Sequence, residues 1–134
     1  MIRARALFLA ATLCSSAAPA AADAQPVQVR IENTTGEAIR CVAVLAHFVT
    51  RTLSPIVDGE TREITLGRDP NDGSLSYGSH DGDPMLLENL LCGTVSDWTA
   101  SARDLPILQL RGDRAIQFEV RCALERRKVL CSPL

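Results

Sequence analysis

A chain of 134 residues, 46 % hydrophobic and 22 % charged, carries enough apolar material for one domain with a modest core. Its formal net charge of −2, with both signs interspersed, excludes a surface built to neutralise many phosphates, so no nucleic-acid partner is expected. Aromatic side chains at 4 % argue against a sugar platform built from exposed rings.

Arg3 and Arg5 precede an apolar run from Ala6 to Leu13 broken only by Thr12, and an alanine-rich stretch then ends in Ala22-Asp23-Ala24. Basic, apolar and small-x-small segments in that order predict a secretory signal over residues 1–24, cleaved after Ala24, and one β-rich domain over residues 25–134. The run is far shorter than the roughly 18 apolar residues of a membrane anchor, and no later segment is apolar enough to span a bilayer. Lipid attachment at Cys14 needs a small residue before it, where Leu13 stands. Removal of the leader takes Arg3, Arg5, Asp23 and Cys14 with it, leaving four cysteines and a net charge of about −3. The short, alanine-rich leader points to a bacterial-type periplasm.

From Pro26 onward, short apolar stretches are separated by turn dipeptides, the pattern of strands. Val27, Val29 and Ile31 alternate with Gln28, Arg30 and Glu32, which predicts a half-buried strand ending in a turn from Asn33 to Gly36. Asn33-Thr34-Thr35 on that turn also matches a glycosylation acceptor. Ile39 to Thr50, with β-branched Val42, Val44 and Val49, reads as one long central strand covered on both faces, in which His47 is a strand histidine. After Pro55 and Asp58-Gly59, Ile64 and Leu66 alternate with Glu63 and Thr65 in a third strand.

Gly67 to Pro84 is the least regular stretch, with a short strand near Leu75 and Tyr77. Long loops in small domains are uncommon and disproportionately functional, so Asp69, Asn71, Asp72, Tyr77, His80, Asp81 and Asp83 are the expected partner-binding residues. The same oxygens suit calcium, but the calcium-loop pattern fails: glycine comes one place early, and His80 stands where the closing glutamate belongs. Asx turns account for these residues without an ion. The alternative reading is a metal- or calcium-binding protein using loop 69–83 and His80. Ser79, His80 and Asp81 are sequence neighbours, which in an extended chain point to opposite sides and assemble no triad, and the nucleophile pattern GxSxG is missing. No catalytic residue, metal ligand or cofactor is assigned.

Asp83-Pro84 resembles an N-cap and first helical position, Glu88 follows and Gly93 supplies a stop, which predicts a short helix over Pro84 to Cys92. Trp98 is expected as a core plug. Leu108 and Leu110 alternate with Gln109 and Arg111, and Ile116, Phe118 and Val120 with Gln117 and Glu119, so a hairpin is predicted with Gly112-Asp113-Arg114 as its loop. Arg111-Gly112-Asp113 spells an adhesion tripeptide, although Gly-Asp is also what a tight turn requires. A last strand returns through Val129 and Leu130 to Cys131 after a solvated turn at Arg126-Arg127-Lys128.

No two of Cys41, Cys92, Cys122 and Cys131 are spaced as closely as a zinc, iron-sulfur or CxxC redox site demands. Structural disulfides are expected instead. Cys122 and Cys131 flank the hairpin at Glu125 to Lys128 and are the preferred pair, leaving Cys41 for Cys92, although loop-closure entropy alone does not separate the connectivities. The chain is thus expected to be mainly β, a small antiparallel sandwich or barrel with one short helix, stabilised by disulfides. Its expected role is that of a secreted or periplasmic non-enzymatic protein engaging a protein partner, such as an inhibitor or accessory subunit of an envelope enzyme.

Overall fold

The structure, a computed structural model, describes residues 23–78 and 83–134. The expected export signal lies outside them apart from Asp23 and Ala24, as do His80 and Asp81. The fold is mainly β. Val27, Val29 and Ile31 are fully buried while Arg30 is exposed, and this period-two pattern builds β1 (Gln25–Asn33). Nine strands among the described residues form one sheet, completed by β2 (Ile39–Leu45), β3 (Val49–Thr52), β4 (Thr61–Arg68), β5 (Leu75–Tyr77), β6 (Met85–Thr94), β7 (Arg103–Asp104), β8 (Gln117–Glu125) and β9 (Lys128–Pro133). Along the sheet the order is β3-β2-β6-β5-β4-β1-β8-β9, with β7 also on β6, and every pair is antiparallel except β1 with β8. The edge strand β9 comes back close to β6 and β7, so the sheet curls around one apolar core that includes Ile39, Leu66, Leu90, Ile107 and Val120.

The segment read as one long strand over Ile39 to Thr50 is a hairpin. His47 and Phe48 both take left-handed backbone (φ 61° and 62°), and the Val49 amide donates to the Ala46 carbonyl, closing a tight turn of the kind that usually carries Asn-Gly. Neither side chain announces such a turn. The predicted helix over Pro84 to Cys92 is strand β6: Val44 faces Asn89 and Leu45 faces Leu87, leaving Glu88 as a bulge without a partner. The bulge places Leu87 and Leu90 on the buried face three residues apart, a spacing that resembles a helix. The one α-helix among the described residues is α1 (Trp98–Ser101), whose first turn is capped by Asp97 Oδ1 accepting from the Ala100 amide at 3.3 Å.

Nor do residues 108–111 form a strand. Ile107–Arg111 is a 3₁₀ turn after Pro106 that buries Ile107 and Leu110 and leaves Leu108 exposed. Strand β8 pairs instead with β1, Phe118 facing Val29 and Val120 facing Ile31, and Ile116 stays 57 % exposed. Trp98 is half-buried, its ring 4.8 Å below the Arg40 guanidinium, and is no core plug. Asn33 is fully buried: Nδ2 donates to the Glu37 and Ile56 carbonyls and Oδ1 accepts from the amide and hydroxyl of Thr35. That amide organises the turn, and its burial leaves no room for a glycan.

Both disulfides join residues that face each other on paired antiparallel strands, Cys41 with Cys92 (Cα–Cα 4.1 Å) and Cys122 with Cys131 (3.9 Å). This is the preferred pairing, and it is compatible with a location outside the reducing cytosol. No helix among the described residues is long and apolar enough to cross a membrane. The Cys41–Cys92 bridge spans 51 positions and Cys122–Cys131 spans 9. In the chain-entropy account they contribute about 4 and about 3 kcal/mol respectively. Urea unfolding should therefore show the Cys41→Ala/Cys92→Ala protein losing more stability than Cys122→Ala/Cys131→Ala; the reverse order would contradict the loop-length account.

Candidate functional site

Strand β4 ends in a polar turn. The Asp69 amide donates to the Ser74 carbonyl and the Gly73 amide to the Asp69 carbonyl, both at 2.9 Å. Inside this loop Asp69 Oδ1 accepts from the Asn71 amide at 2.7 Å and Asp72 Oδ1 from the Ser74 amide at 2.8 Å, so each carboxylate is turned back on its own backbone as an Asx turn. Hydrogen bonds from the hydroxyl and amide of Ser74 hold the Asp72 carboxyl below its usual range, with a smaller contribution from the charge of Arg111. Gly73 takes φ +75°, and a Cβ built there would lie 2.1 Å from the Arg111 carbonyl oxygen. Only glycine lets the turn seat so closely on residues 111–114. There Asp113 likewise caps its own loop, Oδ1 accepting from the Ala115 amide at 2.9 Å.

Arg68 closes the bottom of the gap between the two loops. It is 4 % exposed; Nη1 donates to the Leu110 carbonyl at 3.1 Å and Nη2 to Gln25 Oε1 at 2.7 Å, so one guanidinium ties the end of β4 to the 3₁₀ turn and to the start of β1. Gln25, Arg68, the 69–73 turn and residues 111–114 line an open cleft of about 530 Å³. The ion pairs among the described residues lie elsewhere: Arg30 with Glu63 and Glu119, Arg121 with Glu32, and Arg127 with Asp97. Arg68, Arg111 and Arg114 belong to none of them.

Of the predicted contact residues, Asp69, Asn71 and Asp72 come together on the rim of this cleft. Tyr77 does not: it is half-buried in β5 opposite Met85 and packs against the core. Asp83 is exposed just before β6 and lines no part of the cleft. His80 and Asp81 lie outside the described residues. Among the described residues no three His, Cys, Asp or Glu gather as a metal site, and His47 sits exposed at the β2–β3 hairpin tip. The arginines were not anticipated. Arg68 had a readable signal, because the Ile64, Leu66 alternation continued by two residues puts it on the buried face. Gln25 and Arg114 had none, and Arg111 stood out only within its adhesion tripeptide, since all three join the site only through folding.

Gly73→Ala and Gly59→Ala separate backbone preference from seating. Both glycines have positive φ, but a Cβ at Gly59 meets nothing within 4 Å. Gly59→Ala should cost about 1 kcal/mol, whereas Gly73→Ala should cost clearly more and shift the amide resonances of residues 111–114; equal costs without those shifts would show that the loops are not in register. Because the Asp72 pKa is lowered by folding, its contribution to the turn is full above the ordinary carboxylate pKa and disappears as pH falls through the lower folded value. An NMR titration of the Ser74 amide should therefore show a midpoint below that of an unstructured aspartate.

No family model and no curated protein matches this chain. A solved structure, an NMR structure of a protein from Eubacterium rectale, aligns with 81 % of this chain and 88 % of its own at 12 % identity and a TM-score of 0.46, a likeness too loose to speak to function.

Proposed function

We propose that the chain is an exported, non-enzymatic binding protein, periplasmic or secreted, that engages a protein partner through the two loops around the Arg68 cleft, as an inhibitor or accessory subunit of an envelope enzyme would. The observation that carries this reading is the preordering of the rim. Asp69 and Asp72 hold the turn in Asx hydrogen bonds and Gly73 seats it on residues 111–114, so a partner meets a surface whose ordering cost is already met in the free protein. The leader predicted at residues 1–24 and the two disulfides support the compartment.

Capture from a native envelope extract under non-reducing conditions tests it. A protein retained by the wild type and by Glu125→Ala, yet lost with Asp72→Ala/Arg114→Ala, is the expected result. Equal retention by all three moves the contact surface away from the cleft. Stoichiometric metal in equilibrium dialysis, lost with His80→Ala and Asp81→Ala, would replace the binding reading with the metal-dependent one.

A further inference from the structure

We infer that the cleft floored by Arg68 is a carboxylate-binding site, with Arg111 and Arg114 at its mouth; the inference rests on the proposed contact surface and names the chemistry that surface recognises. An arginine is always charged, and Arg68 keeps its charge almost wholly out of water with two neutral oxygens, from Leu110 and Gln25, as its hydrogen-bond acceptors. Burial of that kind is unfavourable until an anion arrives, and the guanidinium fork matches a carboxylate edge-on. The acidic groups on the same cleft do not supply that anion. Asp69, Asp72 and Asp113 each spend an oxygen on a backbone amide two residues ahead, and none lies within ion-pair distance of Arg68, Arg111 or Arg114.

The charge count of the lining selects among anions. The cleft carries three arginines and three aspartates, and the aspartates stand on the rim that any ligand must pass. Attraction and repulsion from this balanced lining both double for a phosphate dianion, whereas the cost of stripping its water rises with the square of the charge, so a monoanion is favoured. The walls are set before the ligand comes, because Gly73 rests against the Arg111 carbonyl and Arg68 clamps Leu110. Two sources present the group: a polypeptide C-terminus or acidic side chain, and a free small acid.

The test is NMR of the arginine Nε–Hε groups in protein expressed from the full coding sequence and purified without reductant. It is titrated with acetate, with acetyl-trialanine as the free acid, with the same peptide as its amide, and with inorganic phosphate. Saturable shifts at Arg68 with the peptide acid and none with the amide are expected, weakened about tenfold or more by Arg111→Ala/Arg114→Ala and unchanged by Arg51→Ala, an exposed arginine on β3. Acetate binding as tightly as the peptide acid assigns a free small acid; tighter binding of the peptide assigns a chain terminus. Absence of saturation, equal response to the amide, tighter binding of phosphate, or indifference to Arg111→Ala/Arg114→Ala overturns the inference. Partner capture that depends on the cleft while no carboxylate probe binds leaves the contact surface standing and removes only its proposed chemistry; the opposite outcome removes the partner and keeps the site.

Discussion

Cys92 stands where strand β6 is held from both edges, facing Cys41 on β2 and Arg103 on β7, and its disulfide to Cys41 makes one of those contacts covalent. A strand slipped by one residue sends its buried side chains to solvent, so pinning a single pair pins the whole ladder. That matters here because β6 carries a bulge at Glu88, which relaxes the register between its two halves. The first half holds β5 through Met85 and Leu86, and β5 in turn holds the end of β4 through Gly67 and Arg68. Strand pairing thus links Arg68 through β5 and β6 to a disulfide two strands away.

The cleft is the downstream end of that chain of constraint. Arg68 continues the inward face of Ile64 and Leu66, so its placement is a consequence of β4 pairing with β1 in the observed register. Once there it draws in Leu110 and Gln25, and Gly73 brings the acidic turn onto the Arg111 backbone. A rigid sheet supplies the floor and two self-capped loops supply the rim.

Charges on the outer face of the sheet behave differently. Arg30 lies between Glu63 on β4 and Glu119 on β8, and Arg121 reaches Glu32 on β1, forming cross-strand ladders among partly exposed side chains. Such pairs contribute about 0 to 1 kcal/mol each, so stability rests on the core and the two bridges. The three cleft arginines stand apart from these ladders, and the proposed anion site rests on that separation.

What the amino-acid sequence determined by itself was whatever depends on neighbours a few positions apart. The period-two runs of β1, β4 and β8, the short strand at Leu75 to Tyr77, the β8–β9 hairpin and, through it, the Cys122–Cys131 pair are all local, because side-chain alternation and a tight turn are encoded within one segment. The Asx turns at Asp69 and Asp72 were legible for the same reason. Tertiary structure decided the rest. The left-handed turn at His47-Phe48 carries no glycine and is imposed by the β2–β3 ladder, the bulge at Glu88 imitates helical spacing, and the parallel pairing of β1 with β8 joins segments almost ninety positions apart. The cleft belongs to that second class: Gln25, Arg68 and Arg111 share no local pattern, and only the closing of the sheet brings their side chains to one place.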